Sequence, residues 1–426
     1  MMMNKQKLHY HRPIKRQHHH KGWGRIILLG LVLIPLVLLL GSHPTSDVIL
    51  YVKQKKTSLP PLTQEVAPVA KAFLLVDNQT GQIVYQKNRQ ERLQIASISK
   101  IIPAYLICRA IQSGKLNLHD QIKISPAVAK LSNEAGLSNV KLQINETYSV
   151  KDLLAATLLS SANAGVMALA QAVSPLPEFN QAEHEFLNQL GIKDFVIVNV
   201  NGLPNNMLGS LRNPQTSLNA ENEMSATAVG MVATKLIRDF PQILSITEKL
   251  TDQFKAGTAQ QQTLENTNKL VAGAQLALPQ LQALGLKTGT NDYGYSFVGT
   301  FKNEGKLLTT VILNANSDNA RFLNTRQLFQ QFQKQYHLIT LTPQTNSNLK
   351  EIHEMFSQQF NLKPQKIQPL KLWVPRSVKA ADFHFKFDFD YNYFSQNKKP
   401  GLIVRLAVNP NQIQFLNERL PSLNLR

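Results

Sequence analysis

The stretch Ala72-Phe73-Leu74-Leu75-Val76-Asp77-Asn78-Gln79-Thr80-Gly81-Gln82-Ile83-Val84-Tyr85 holds two apolar, strand-like runs around a five-residue turn signal. It predicts a β-hairpin. Upstream, residues 43–68 carry Pro44, Pro60, Pro61 and Pro68 and read as an extended tether. Downstream, the pattern becomes helical over residues 95–113 and again over 150–173, the latter rich in Ala and Leu as a buried helix would be. Residues 195–204 are mixed. Met224-Ser225-Ala226-Thr227 starts a helix running to residue 237, with Ser225 as its cap. Residues 295–301 and 307–315 form a second hairpin around Asn303-Glu304-Gly305, and a helix over 319–336 closes the unit. Strands first, helices in the middle, then strands and a last helix predict an α+β fold, an antiparallel sheet flanked by helices.

Composition changes after residue 340. Thr342-Pro343-Gln344-Thr345-Asn346-Ser347-Asn348 reads as a linker, and a small β-rich domain is expected over 350–426. Phe383-His384-Phe385-Lys386-Phe387-Asp388-Phe389-Asp390-Tyr391 alternates strictly, and 402–408 is another strand-like run. An aromatic stripe of period two fills the core of a small sheet; a carbohydrate platform is the competing reading. No internal repeat is visible.

The chain has 426 residues, 43% of them hydrophobic, enough for two or three domains. Its net charge is +19, but residues 1–25 hold seven Lys/Arg and no acid, leaving +12 for the rest. Such an excess points to a polyanion. Nucleic acid is excluded for want of zinc-finger spacing, an RNP string or a recognition-helix pattern, which leaves an anionic wall or membrane surface. The basic tail (1–25) precedes an apolar run over 26–41, broken only by Gly30 and Pro35. With Trp23 and Ser42 at its ends, the expectation is a transmembrane anchor over 26–42, basic side in the cytoplasm and the rest outside. A cleaved signal peptide is the alternative, but Leu40-Gly41-Ser42-His43-Pro44 offers no small-x-small site. Cys108 is the only cysteine, so no internal disulfide exists, and its apolar helical setting predicts an inert buried thiol. The five histidines of the head (His9, His11, His18, His19, His20) lie in the basic tail and make no metal site.

Three short strings carry the chemistry: Ser97-Ile98-Ser99-Lys100, Ser161-Ala162-Asn163 and Lys287-Thr288-Gly289. Ser97 and Lys100, three apart on a helix, share a face. A serine hydroxyl needs a base, and a lysine serves only if neutral, which burial and a second cation favour; Lys287 is the candidate for that cation. Ser99 has Ile102 rather than a lysine at i+3 and is set aside. Between two helical runs, Ser161 can relay a proton to a leaving amine, and Asn163 can bond both a substrate amide and Lys100. Lys287 and Thr288 suit a carboxylate, and Gly289 would let a substrate backbone approach. Taken singly, each string is equally a helix start, a helix break or a strand end.

Together the three strings resemble the set shared by serine β-lactamases and penicillin-binding proteins. The chain resembles the low-molecular-mass penicillin-binding proteins, the serine-type D-alanyl-D-alanine carboxypeptidases. Residues 72–100 are similar to that family's opening hairpin and nucleophile, Asn266-Thr267-Asn268-Lys269-Leu270 to its Asn-Thr-Asn segment, and Gly285-Leu286-Lys287-Thr288-Gly289-Thr290 to its third string. The likeness covers about 69–338, and a catalytic domain is expected over 69–340. By this resemblance the fold is a penicillin-binding/β-lactamase-like transpeptidase domain, a sheet flanked by helices plus a helical subdomain. It implies Ser97 as acylated nucleophile, Lys100 as base, Ser161 and Asn163 as proton-transfer and substrate groups, and Lys287, Thr288 and Thr290 around a terminal carboxylate. The N–H groups of Ser97 and Thr290 would form the oxyanion hole, and Arg321 would help hold the carboxylate. Implied partners are stem peptides ending in D-Ala-D-Ala, β-lactams as covalent inhibitors and the cell membrane; no cofactor is implied.

Three departures stand out. Ala164 replaces an acid often found after Ser-x-Asn. Pro103 should kink or end the helix it sits in. Residues 409–426, broken by Pro421, do not form the family's usual amphipathic anchor. A transpeptidase, endopeptidase or β-lactamase using the same site is the competing enzyme reading, although no glutamate-bearing deacylation loop is evident. A silent wall-binding scaffold is the competing non-enzyme reading.

Overall fold

Asp77 closes the first hairpin. Its Oδ1 accepts from the N–H groups of Gln79 and Thr80 at 2.9 and 2.8 Å, the side-chain turn that Asp forms readily. The flanking strands are β1 (Ala70–Asp77) and β2 (Gln82–Lys87). Three more long strands follow far down the chain: β3 (Gln282–Asn291), β4 (Gly294–Asn303) and β5 (Lys306–Ala315). They hydrogen-bond in the order β2-β1-β5-β4-β3, antiparallel throughout, as the sequence predicts. β3, which carries the third string, is the last strand on its side of the sheet.

The computed structural model describes residues 59–359, 368–389, 395–397, 402–408, 412–417 and 422–425. The expected basic tail, the anchor over 26–42, most of the tether, and Asp390 and Tyr391 of the alternating run lie outside the described residues. Among the described residues no helix is long and apolar enough to cross a membrane.

Alternation along the hairpin explains the layering. Leu74, Val76 and Ile83 face one core, shared with Val298, Val311 and the central helices. Phe73, Leu75 and Val84 face another, shared with Phe297, Ile312, Phe322 and Phe329. A strand buried on both faces reads as a near-continuous apolar run, and this one does. The helices on the first face are α1 (Ile101–Gln112), α2 (Val150–Leu158), α3 (Asn163–Val173) and α4 (Ala226–Asp239). The second face is covered by α5 (Asp318–Gln335). Ser225 caps α4 as expected, accepting from Ala228 N–H at 3.1 Å.

Pro103 does not act as the sequence predicts. The backbone runs as a 3₁₀ turn over Ala96–Lys100 and restarts as an α-helix at Ile101. Pro103 therefore sits in the first turn of α1, where an N–H has no intrahelical partner to lose. The helix continues to Gln112. Cys108 is buried within it, which pushes its thiol up to about 12.

Beyond α5 come β6 (Tyr336–Leu341), helix α6 (Ser347–Gln359) and β7 (Leu370–Pro375), the two strands antiparallel. β8 (Phe385–Phe389) and β9 (Leu402–Leu406) pair with Ser422–Leu425 in a second small sheet. Phe385 and Phe387 are buried, the core role expected of the alternating stripe. The tether is shorter than expected. Leu62 is buried in the C-terminal core with Leu341, Leu372 and Val404, and Gln64–Glu65 pairs parallel to β2. An apolar side chain and an open strand edge capture residues that the prolines alone mark as linker.

Candidate active site

The 3₁₀ turn decides the geometry of the first string. In such a helix side chains at i and i+3 eclipse, so Lys100 lies directly beside Ser97, with Nζ 2.7 Å from Oγ. Ala96 enters the turn at φ +45°, a costly conformation for a residue with a Cβ. Ser97 is half-buried, while Lys100 is fully buried.

Two more oxygens surround the Lys100 amine: Asn163 Oδ1 and the Asn201 carbonyl, each at 2.8 Å. Neither can donate a proton. Lys100 Nζ thus has three oxygens within 2.8 Å; when the amine is neutral its two N–H groups can go to the two carbonyls, which leaves the lone pair for the Ser97 hydroxyl. Burial, aided by the nearby Lys287 charge, holds Lys100 well below the ordinary lysine range. Burial and the neighbouring charge both favour the neutral form of this amine.

Asn163 opens α3, and its N–H and Nδ2 both donate to Ser138 O at 2.9 and 3.0 Å. Its carboxamide is thereby aimed at Lys100. Ser161 sits on the turn between α2 and α3 at φ +60°, buried, and its hydroxyl makes no hydrogen bond among the described residues. The sequence placed the string between two helices, and the structure does so.

On β3, Lys287 is fully buried and donates to its neighbour's carbonyl, Thr288 O, at 2.8 Å. Burial, then the charge of Arg321, brings its amine down to about 7. Thr288 Oγ1 lies 2.7 Å from Thr267 Oγ1. At Gly289 the space on the Cβ side is taken by the protein itself. A Cβ there would stand 2.8 Å from Ile95 O and 3.1 Å from Ile98 N. What it admits is the chain's own nucleophile turn, so the strand passes directly against Ser97's backbone.

Arg321 is no surface arginine. Its side chain is 5% exposed on α5, and Nη1 donates to Gly289 O, Thr290 Oγ1 and Ser296 O at 2.9, 3.2 and 3.1 Å. Nη2 pairs with Asp318, which also pairs with Lys269. Nε is buried without a hydrogen-bond partner among the described residues. Burial lowers the guanidinium's pKa. Thr290, beside it, is exposed at the end of the strand.

Sequence reasoning missed the loop that supplies the third oxygen. Asn199 Oδ1 accepts from the N–H groups of Asn201 and Gly202 at 3.2 and 2.8 Å, and Asn222 Oδ1 accepts from Val198 N–H at 2.7 Å. Asn222 also offers its carbonyl to Ile95 N–H at 3.0 Å, joining this loop to the nucleophile turn. Gly202 adopts φ +76°, and a Cβ there would lie 2.0 Å from Ala96 O. The Asn-x-Asn-Gly string is a recognisable tight-turn signal, but nothing local says that it faces Lys100, 101 residues away.

Comparison with known proteins agrees with this arrangement. A family profile described as D-alanyl-D-alanine carboxypeptidase matches residues 55–317. The chain is similar to the D-alanyl-D-alanine carboxypeptidase DacF of Bacillus subtilis, 28% identical over 260 residues. That match spans 61% of each chain, so about three-fifths of the relative's length is represented. Among solved structures it resembles a peptidoglycan synthesis regulatory factor, PBP3, of Streptococcus pneumoniae. That likeness has a TM-score of 0.65 and 30% identity, and covers 74% of this chain and 85% of the other. It also shares the fold of penicillin-binding protein D2 of Listeria monocytogenes, solved in an ampicillin-bound form. Here the TM-score is 0.52 with 24% identity, covering 62% and 98% of the chains. The sheet edge, the three strings along it and a profile spanning all three place this chain in the D-alanyl-D-alanine carboxypeptidase family, among the low-molecular-mass penicillin-binding proteins.

Proposed function

We propose that the protein is a serine-type D-Ala-D-Ala carboxypeptidase that trims the terminal D-alanine from peptidoglycan stem peptides. The observation that carries this reading is the ring of three oxygens around the buried Lys100 amine, with Nζ 2.7 Å from Ser97 Oγ. Ser97 Oγ attacks the penultimate carbonyl as its proton passes to Lys100 Nζ. The N–H groups of Ser97 and Thr290 hold the oxyanion. Lys100 returns the proton to the departing D-alanine amine by way of Ser161, and the C–N bond breaks to leave an ester on Ser97. Water, deprotonated by the same lysine, then cleaves the ester. Lys287, Thr288, Thr290 and Arg321 bind the terminal carboxylate, and Asn163 supports the substrate amide. A β-lactam acylates the same serine.

Residues 26–42 anchor the chain in the cell membrane, with 1–25 in the cytoplasm and the catalytic unit outside, facing the wall. The charge asymmetry of the head supports this orientation.

The test uses the full-length protein in detergent. A fluorescent penicillin is expected to label it, Ser97→Ala to abolish labelling, and a pentapeptide ending in D-Ala-D-Ala to lose one D-alanine. Labelling that survives Ser97→Ala would overturn the nucleophile; labelling without D-alanine release would move the protein to another acyl acceptor.

A further inference from the structure

Thr267 lies outside the three strings, yet it is the side chain that joins the second to the third. Its N–H donates to Leu159 O at 3.1 Å, and its Oγ1 is 3.3 Å from the same oxygen. Leu159 is two residues before Ser161. On its other side Thr267 Oγ1 lies 2.7 Å from Thr288 Oγ1. The segment is fixed around it: Asn266 Nδ2 donates to Thr247 O and Lys249 O at 2.9 and 2.7 Å, and Ser160 Oγ donates to Glu265 O at 3.1 Å.

Each hydroxyl has one proton, and that limits what the pair can do. When Thr288 donates to Thr267, the Thr267 proton goes to Leu159 O, and Thr288 has no proton for a ligand. When Thr267 donates to Thr288 instead, the Thr288 proton is free for an anion. The change gives up only the long bond to Leu159 O, and a hydroxyl that accepts one bond donates a stronger one. We infer that Thr267 is a positioning residue whose hydroxyl turns from Leu159 O to Thr288 Oγ1 when substrate binds, so that Thr288 can donate to the terminal carboxylate. This rests on the proposal above that Thr288 faces that carboxylate.

The experiment measures acylation of the full-length protein by a penicillin and by its uncharged methyl ester, for wild type, Thr267→Val and Thr267→Ser. Valine keeps the shape and removes the proton. Thr288 then keeps its proton but loses the bond it accepts, so valine is expected to slow the free acid about 2- to 5-fold, the scale of the lost strengthening of one charge-assisted hydrogen bond, and to leave the ester unchanged. Serine is expected to restore the wild-type rate. Equal losses on acid and ester, or no loss, would overturn the inference and leave the carboxypeptidase reading standing. Wild type that reacts equally with acid and ester would remove the carboxylate pocket and the relay together. Wild type that neither compound acylates at Ser97 would overturn the proposed function itself, and the relay with it.

Discussion

Lys287 stands at a cost that its setting makes measurable. Its folded pKa of about 7 lies below the ordinary 10.5 because burial disfavours the charged form. Between those pH values the unfolded chain holds a proton that the folded chain lacks, so stability falls as pH drops from about 10.5 towards 7 and levels off below. Lys287→Met removes that dependence. Thermal melts from pH 6 to 10 should show the variant gaining roughly 2–4 kcal/mol over wild type near pH 7, with the gain shrinking towards pH 10; parallel curves would refute the burial account. The same change removes a cation that depresses Lys100, so the acid limb of Ser97 acylation should move to higher pH. Gly202 is the second residue with a sharp expectation. Alanine there pays for φ +76° and also meets Ala96 O, whereas Gly257, at φ +75°, has nothing within 4 Å. Gly257→Ala should cost about 1 kcal/mol and leave acylation intact. Gly202→Ala should lower acylation by about 10²-fold or more by displacing the nucleophile turn. Ser97, Lys100 and Asn163, which the structure brings together, were legible because their spacing encodes them. Asn201 was not, since it contributes a backbone carbonyl, which every residue type has.

At the scale of elements, local periodicity carried most of the fold. The hairpins, the capped α4 and the break between α2 and α3 appear where the sequence placed them, because each is set by neighbours within a few residues. The reading failed where a local rule met a different starting point. Pro103 breaks a helix that began at residue 95, but not one that begins at Ile101. If it stood in a helix interior, Pro103→Ala would stabilise the protein by about 3 kcal/mol. In the first turn the change should stay within about 1 kcal/mol, with acylation unchanged, as denaturant titration and penicillin labelling can establish. Gly289 was legible only in part. A strand glycine signals close approach, but the string cannot say whether ligand or protein approaches, and here Ile95 and Ile98 fill the space.

At the scale of the whole molecule, the sequence marks a change of composition after residue 340 but not how closely the C-terminal strands are tied to the catalytic sheet. Gln414–Phe415 pairs directly with Gln82 and Ile83 of the sheet, and Trp373, on β7, makes a second connection. Its N–H and C=O bond both ends of the Gln82 carboxamide at 2.8 and 2.7 Å, and its Nε1 donates to Asp77 Oδ2 at 2.8 Å. Gln82 and Asp77 flank the turn of the first hairpin, and all three residues are buried. Such long-range pairing between a strand and a side chain nearly 300 positions earlier has no local signature. Gln82→Leu keeps the volume and leaves one buried N–H and one buried C=O of Trp373 unpaired, at about 2–5 kcal/mol. The cost falls on the joint between β7 and the sheet rather than on the nucleophile turn, so the two regions should lose cooperativity. Trp373 and Trp23 are the only tryptophans, so in a Trp23→Phe background fluorescence reports on the joint alone. In that background, with Gln82 intact, the fluorescence change and the loss of penicillin labelling should coincide on heating. In Gln82→Leu the Trp373 signal should change several degrees earlier than labelling is lost. Coincident transitions in the variant would mean that the C-terminal strands are coupled to the catalytic sheet by their other ties, the pairing of Gln414–Phe415 with Gln82 and Ile83, and the bond from the Tyr336 hydroxyl to Leu62 O.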